Sequence, residues 1–316
     1  MSVCMGFILP GIVMNWAVED ASIPEDETLP DSTVPSVTED REKLTMLLRR
    51  QDGTVVTMDM DEYLVGVVLG EMPADFEDEA KKAQAVVART FTQKAYITGG
   101  KHGDGSVCVD SGCCQAYLPA GEYLSQGGSQ GAVDAAQAAV EATSGLVLTY
   151  EGELIEATYF SCSGGSTEDA VAVWGADVPY LKAVESPGEE YATHYSDTVC
   201  FTKKEFADKL GLPLTGNPKN WFGTAAYTSG GGVKTMVICG KTFTGTELRS
   251  KLGLRSTAFT VTADSEKIII TTRGFGHRVG MSQYGADAMA MGGSKFDEIL
   301  AHYYPGTTLE LTNDRG

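Results

Sequence analysis

The chain has 316 residues and a formal net charge of −19 at pH 7. This acidic balance argues against binding to nucleic acid or to anionic lipid by charge, and no basic cluster offsets it. Apolar residues make up 42% and charged residues 21%, which is typical of a globular chain with one large domain or two ordinary ones.

An uncharged segment of sixteen residues, Val3 to Val18, lies close to the N-terminus. Its length is short for a membrane-spanning helix but suits the apolar region of a signal peptide or a marginal anchor. Only two residues precede it, so the charged part of a signal peptide is missing and a truncated start is left open. We expect residues 1–18 to be a signal or membrane anchor, with a buried strand or helix as the alternative.

The next segment, residues 19–41, carries eight acidic residues, one basic residue and three prolines. It offers almost no apolar surface to bury, and its like charges repel one another. We expect an acidic disordered linker that holds a folded part, starting near residue 42, away from a membrane.

The first folded stretch reads as a β-hairpin followed by two helices. The runs TMLLRR and TVVTM flank an Asp-Gly turn, which is a hairpin signal. Asp59 can cap a helix that stops at Pro73, and Asp75 or Asp78 can cap a second helix that ends at Gly99.

The rest of the chain mixes helical and strand patterns without a regular βαβ alternation. We predict a helix at 133–143, a hairpin at 146–160, and a strand, a loop and two helices near the C-terminus. Residues 190–262 are more varied and read as an inserted subdomain. The prediction is an α+β fold of mixed helices and short antiparallel strands, with residues 42–189 and 263–316 as the catalytic core.

Glu71 is an acid on the apolar face of the first predicted helix. It follows Leu64, Val67 and Val68 at helical spacing. Burial raises the pKa of such a carboxyl, and the helix C-terminal carbonyls act in the same direction. A glutamic acid kept protonated near neutral pH is what a general acid requires. The alternative is a glutamate that reaches solvent beyond Pro73.

Arg89 lies in the second predicted helix, away from the apolar stripe that contains Ala83, Val87 and Phe91. A short turn joins the two helices, so they can pack antiparallel. Periodicity alone nevertheless predicts that Arg89 is a solvated arginine.

The loop KHGDGSVCVDSGCC contains candidate metal ligands. His102, Cys108 and Cys114 follow one another at intervals of six residues, and imidazole with thiolates suits zinc. A disulfide from Cys108 to Cys113 or Cys114 is an equal alternative outside the cytoplasm. A zinc site of this composition could be structural or, with an open position, catalytic.

Two glycine-rich loops offer polar groups to a ligand. The loop SCSGGST contains Ser161 and Ser163 but lacks the G-x-S-x-G elbow of serine hydrolases. Its Cys162 could act as a thiol nucleophile, yet the simpler interpretation is a turn that binds a polar ligand. The loop GFGHRVGMS presents His277 and leads to Gln283, and such loops commonly form a cleft wall. A single loop histidine is more often structural than catalytic.

Taken in order, five sequence blocks resemble the stage II sporulation protein D family. They are YLVGVVLGEMPADF with EAKKAQAVVARTF, CCQAY, YFSCSGGSTE with PYLKAVESP, GFGHRVGMSQYGA, and HYYPGT. The resemblance runs from about residue 42 to the C-terminus and is weakest between 190 and 262. It implies a membrane-anchored, extracytoplasmic lytic transglycosylase of sporulating Bacillota that cleaves peptidoglycan glycan strands at the membrane engulfing the forespore.

The resemblance also implies roles for individual residues. Glu71 matches the catalytic glutamate, and zinc, in a structural role, becomes favoured over a disulfide at His102, Cys108 and Cys114. The residues expected to bind substrate are Arg89, Ser161, Ser163, Lys182, His277 and Gln283. The family further implies an amidase partner, of the stage II sporulation protein P type, that removes the stem peptides first.

A single catalytic glutamate is chemically consistent with this activity. Hydrolysis of a glycosidic bond normally needs two carboxylates, whereas a lytic transglycosylase uses the C6 hydroxyl of the sugar in place of water. Two other hypotheses stay open. One is a zinc-dependent wall hydrolase, and the other is a wall-binding protein that activates an amidase without cleaving glycan.

Overall fold

The computed structural model describes residues 44–312. The predicted signal or anchor at 1–18 and the predicted linker at 19–41 lie outside the described residues. Within residues 44–312, no helix is both long enough and apolar enough to cross a membrane.

Helices and short strands mix irregularly along residues 44–312, which confirms the predicted α+β class. The helices are α1 (Met60–Glu71), α2 (Asp78–Thr98), α3 (Ala120–Ser125), α4 (Gln130–Ala142), α5 (Ala170–Trp174), α6 (Lys203–Leu210), α7 (Gly245–Leu252), α8 (Gln283–Met291) and α9 (Phe296–Tyr303). The strands are β1 (Thr45–Arg49), β2 (Val55–Asp59), β3 (Val107–Cys108), β4 (Leu146–Tyr150), β5 (Glu153–Leu154), β6 (Tyr159–Phe160), β7 (Gly165–Ser166), β8 (Glu185–Ser186), β9 (Ser196–Thr202), β10 (Phe222–Tyr227), β11 (Val233–Ile238), β12 (Lys241–Thr244), β13 (Phe259–Ala263), β14 (Lys267–Arg273), β15 (Met281–Ser282) and β16 (Thr308–Leu311).

The predicted hairpin and first helix are present with the expected boundaries. Strands β1 and β2 pair antiparallel, and the Asp59 side chain caps α1 by accepting a backbone N–H hydrogen bond. Helix α1 ends just before Pro73, as predicted. The predicted cap of α2 at Asp75 or Asp78 is wrong, because Glu77 holds the N-cap position and Asp78 is the first helical residue.

Helix α2 is surrounded by other elements of the fold. It packs against α1, α4, α8, α9 and β4. Polar residues such as Gln84 and Arg89 are therefore buried together with its apolar residues. A single apolar stripe underestimates this burial, because that pattern belongs to a helix with one face in solvent.

Short strand pairs connect distant parts of the chain. The predicted hairpin at 146–160 turns at Glu151 and Gly152 between β4 and β5, but β6 leaves it and pairs in parallel with β15. In this register Tyr159 lies opposite Met281, and Phe160 lies opposite Ser282. The start of α8 is thereby held next to Tyr159.

The buried apolar side chains form two clusters. The larger one includes residues of α1, α2, α4 and α9, and the smaller one lies between Phe201 and Ile270. The smaller cluster includes Ile268 and Ile270 of β14, a strand that pairs with β9 and β13. The division into a core (42–189 and 263–316) and an insert (190–262) stays a prediction.

Candidate functional site

Glu71 lies at the last position of α1, with its carboxyl at the edge of the core. Leu64, Val67 and Val68, which share its helix face, are almost completely buried. The residue after it, Met72, is already extended, so the helix ends at Glu71 itself. This end position leaves the glutamate half-buried although the face on which it lies is apolar.

The Glu71 carboxyl is held by uncharged groups from three other segments. Its Oε1 atom accepts a hydrogen bond from the Ala116 N–H at 2.6 Å and lies 3.2 Å from the Tyr159 hydroxyl. Its Oε2 atom accepts from the Gln283 amide at 3.1 Å. Within residues 44–312, no carboxylate is among the hydrogen-bond partners of Glu71. Burial raises the pKa of Glu71 above its ordinary value of 4.5, and the hydrogen bonds on its carboxyl oxygens offset part of that rise.

Two glycines of α1 allow residues 116–118 to approach the helix closely. A Cβ atom at Gly66 would lie 2.3 Å from Cε2 of Tyr117, and one at Gly70 would lie 3.2 Å from the Ala116 carbonyl carbon. The Leu118 N–H also donates to the Gly66 carbonyl at 2.9 Å. Because neither glycine carries a side chain, the Ala116 N–H can reach the glutamate at the end of the helix.

The other two partners of Glu71 come from the β6–β15 pair. Tyr159 belongs to β6, and Gln283 directly follows β15 as the first residue of α8. Ser282 caps this helix by accepting a hydrogen bond from the Gly285 N–H at 3.2 Å. Parallel pairing of the two strands therefore delivers both side chains to the same carboxyl.

Four side chains of the loop between α2 and α3 form a candidate metal site. Ligand atoms of His102, Cys108, Cys113 and Cys114 all lie within 4.8 Å of one another. His102 Nε2 is 3.8 Å from the Cys113 sulfur and 3.6 Å from the Cys114 sulfur, and the two sulfurs are 3.9 Å apart. Sulfur ligands around a tetrahedral zinc ion lie about 3.8 Å apart, so the spacing and the donor types both fit zinc.

Cys113 is an addition to the three ligands expected from the sequence. The three cysteines of this loop are free thiols in the structure, so it contains neither of the disulfides considered from the sequence, Cys108 to Cys113 or Cys108 to Cys114. Along the chain the site is next to a hydrogen-bond partner of Glu71, since Cys114 precedes Ala116 by two residues.

Ser161 and Ser163 differ in what they can offer a ligand. Ser163 is completely buried, and its N–H and hydroxyl bind the Glu189 carboxylate at 2.6 and 2.7 Å. Cys162 donates its thiol proton to the same carboxylate at 3.0 Å, and burial raises the pKa of this thiol, which opposes a nucleophilic role. Ser161 is partly exposed, and its carbonyl accepts from the Tyr284 N–H at 3.0 Å.

Neither Lys182 nor His277 is among the groups that hydrogen-bond to Glu71. Lys182 forms an ion pair with Asp177. His277 packs edge-on against Phe160 and lies 5.3 Å, centroid to centroid, from the half-exposed Trp174. Burial lowers the pKa of His277 to about 4, so the ring is neutral at neutral pH. This agrees with a structural or stacking role rather than proton transfer.

Arg89 is buried, so the prediction of a solvated arginine is wrong. Its side chain is 1% exposed and forms an ion pair with Asp61 at 3.2 Å. The guanidinium also donates to two carbonyls at the C-terminal end of α4, those of Val140 and Thr143, and to the carbonyl of Leu146, the first residue of β4. The guanidinium N–H groups satisfy carbonyls at the helix end, and the buried Arg89 side chain has no free surface left for a substrate. The structure thus gives Arg89 a packing role, and the substrate contact implied by the family stays a prediction.

Comparison with known proteins identifies relatives across most of the chain. Residues 49–150 match the family model described as "Stage II sporulation protein". The chain is 42% identical over 265 residues to "Stage II sporulation protein D" of Bacillus subtilis (strain 168), covering 83% of this chain and 77% of that protein. It is 41% identical, with the same coverage, to "Stage II sporulation protein D" of Bacillus amyloliquefaciens.

A more distant relative carries a different name. The chain is 33% identical to the "Amidase enhancer" of Bacillus subtilis (strain 168), covering 78% of this chain and 40% of that protein. The identity to the two sporulation proteins is higher and spans most of both sequences. The chain therefore belongs to the stage II sporulation protein D family.

Proposed function

We propose that this protein is a lytic transglycosylase that cleaves the glycan strands of peptide-stripped peptidoglycan to 1,6-anhydro products during sporulation engulfment. The observation that carries the proposal is the Glu71 carboxyl. It is held by the Ala116 N–H, the Tyr159 hydroxyl and the Gln283 amide, with its pKa raised by burial. A single acid in an uncharged setting is what a reaction without activated water needs.

Glu71 acts in this reaction first as an acid and then as a base. The protonated carboxyl donates its proton to the glycosidic oxygen, and the bond from that oxygen to C1 breaks. The C6 hydroxyl of the same sugar attacks C1, closes the 1,6-anhydro ring and returns its proton to the Glu71 carboxylate. The Ala116 N–H and the Gln283 amide stabilise the carboxylate in the interval between the two transfers.

The zinc ion implied by the family would be held by His102, Cys108 and Cys114, with Cys113 as a fourth ligand. When bound, zinc would cross-link the loop that leads into Ala116. Four protein ligands complete a tetrahedral shell, so we propose a structural site. The alternative of a zinc-dependent hydrolase needs Cys113 to be replaced by water.

The cellular setting is a proposal that the family resemblance supports. We propose that the protein acts outside the cytoplasm, anchored through its N-terminal segment, together with an amidase that strips the stem peptides. The relative named "Amidase enhancer" supports a second candidate function, which is stimulation of an amidase without glycan cleavage.

The deciding experiment is a product analysis on peptide-stripped glycan strands. Wild-type protein, Glu71→Gln and Glu62→Gln are incubated with the strands, and the products are identified by mass spectrometry. Glu62 is an exposed residue of the same helix and serves as the matched control. We expect 1,6-anhydro ends from wild type and control, and a loss of roughly 10²- to 10⁴-fold for Glu71→Gln. Undiminished cleavage by Glu71→Gln would remove Glu71 from the mechanism, and ordinary reducing ends would mean hydrolysis.

Two further measurements separate the alternatives. If zinc is structural, chelation lowers the melting temperature together with activity, whereas a catalytic ion would leave the fold intact. If the protein is only an activator, it accelerates an amidase while glycan strands incubated with it alone stay uncut.

A further inference from the structure

The Tyr159 hydroxyl lies between two acceptors. It is 3.2 Å from Oε1 of Glu71 and 3.1 Å from Oε1 of Gln115. A phenol carries one proton, so it donates to one of these oxygens at a time. The direction of the bond to Glu71 therefore depends on what the Gln115 oxygen requires.

The orientation of the Gln115 amide is fixed by its other neighbours. The side chain is completely buried, and its Nε2 atom lies 3.1 Å from the Tyr63 hydroxyl and 3.0 Å from the Thr92 hydroxyl. Thr92 gives its own proton to the Ala88 carbonyl at 2.8 Å, so it must accept from Gln115. A flipped amide would place two oxygens against each other at Thr92. The amide oxygen therefore faces Tyr159, where it can only accept.

We propose that Tyr159 accepts, rather than donates, in its hydrogen bond with Glu71, so that Tyr159 and Gln115 together hold a proton on the Glu71 carboxyl. The proton of Tyr159 lies toward Gln115, and the free lone pair of Tyr159 faces the glutamic acid. The inference rests on the proposed function, because it explains how the proposed acid is kept in its donating form. Tyr159 is a positioning residue in this scheme, since it acts through Glu71.

The same arrangement supports the return of the proton. When Glu71 becomes a carboxylate, Tyr159 has to turn its proton toward it, which leaves the buried Gln115 oxygen without a donor. An unsatisfied buried acceptor is unfavourable, so the network favours the protonated acid again. This matches a group that must act as acid and then recover its proton within one cycle.

Three ionisable groups near Glu71, namely Tyr63, Tyr159 and His277, carry no charge at neutral pH. Burial raises the pKa of the Tyr63 and Tyr159 hydroxyls, so both stay protonated. Burial lowers the pKa of His277, which hydrogen-bonds to the Tyr159 backbone, to about 4.

The test measures the titration of Glu71 directly. The full chain, in buffer containing zinc, is labelled with carbon-13 at glutamate side-chain carboxyls, and the Glu71 signal is assigned by its absence in Glu71→Gln. Tyr159→Phe removes the acceptor for the acid proton, so we expect the titration midpoint to move to lower pH. Gln283→Met is the matched control, because it removes a donor to the carboxylate and should move the midpoint to higher pH.

The directions in which the Glu71 midpoint shifts in the two variants decide the outcome. If Tyr159 donates to Glu71, both variants raise the midpoint, and an unchanged or raised midpoint in Tyr159→Phe overturns the proposal. Gln115→Met provides a second variant in which Tyr159 is kept but its proton is released toward Glu71, so the midpoint should again fall. Zinc content is measured in parallel, because Gln115 follows Cys114. The titration uses no glycan, so it can fail while the cleavage assay succeeds, and the reverse.

Discussion

Replacement of Arg89 by methionine should destabilise the protein without acting on catalysis directly. Methionine fills the apolar part of the space but leaves three carbonyl acceptors without their donor. The bond to Thr143 is short, at 2.7 Å, whereas those to Leu146 and Val140 are 3.3 and 3.4 Å. One buried acceptor that loses its partner costs about 1–3 kcal/mol, and the two longer bonds cost less.

Loss of the ion pair with Asp61 adds little to this loss of stability. The Asp61 side chain is 43% exposed, so water replaces most of its interaction with Arg89, and the ion pair contributes about 1 kcal/mol or less. We therefore expect Arg89→Met to lower the free energy of unfolding by about 3 kcal/mol. That corresponds to a fall in melting temperature of roughly 6–12 °C for a domain of this size.

Urea unfolding and glycan cleavage measured below the transition test this expectation together. Asp61→Asn is the matched control, because it removes the ion pair and keeps the guanidinium on its carbonyls, so its loss should stay below about 1 kcal/mol. Wild-type stability combined with lost cleavage in Arg89→Met would refute the packing role and favour the substrate contact implied by the family.

Three further predictions concern pH and packing. The folded pKa of Glu71 lies above 4.5, so burial of its charge costs stability as pH rises above that value. In urea unfolding, Glu71→Gln should therefore be more stable than wild type at pH 7, and this difference should disappear below pH 4.5. The pKa of His277 falls from 6.5 to about 4 on folding, so wild type should lose about 3 kcal/mol as pH drops through that range, and His277→Phe should lack this loss. A methyl group at Gly70 would press on the backbone of Ala116, whose N–H binds Glu71, so Gly70→Ala should cleave glycan at least about tenfold more slowly. Its melting temperature should stay within a few degrees of wild type, because the higher helix propensity of alanine offsets the strain. Unchanged cleavage in Gly70→Ala would contradict the packing argument. A variant at Glu71 or His277 whose stability depends on pH as that of wild type does would contradict the argument for that residue.

Local sequence patterns were sufficient for most elements and for the position of Glu71. Its helix register, the cap at Asp59 and the stop before Pro73 depend on neighbouring residues, and these predictions are confirmed by the structure. Gln283 was expected near a substrate, and the structure places it on the Glu71 carboxyl. Its role in substrate binding stays a prediction, as do those of Arg89, Ser161, Ser163, Lys182 and His277.

The errors arise where long-range packing decides the outcome. Arg89 was assigned to solvent because helical periodicity treats a helix as having one wet face, and α2 has almost none. Tyr159 was missed because nothing in a two-residue strand indicates that its hydroxyl reaches a helix much earlier in the chain. Cys113 was omitted because its spacing departs from the six-residue interval, whereas the loop brings its sulfur among the other ligand atoms.

The three groups that hydrogen-bond to Glu71 lie 45, 88 and 212 positions further along the chain. Contacts with such separations close late in folding, because each requires the ordering of a long intervening segment. A chain truncated before Met281 would keep the glutamate itself but lose Gln283 and the strand that pairs with Tyr159. Under the proposed function, the catalytic acid is complete only when synthesis and folding have reached the C-terminal helices, and a proteolytic cut near that end would abolish activity without touching Glu71.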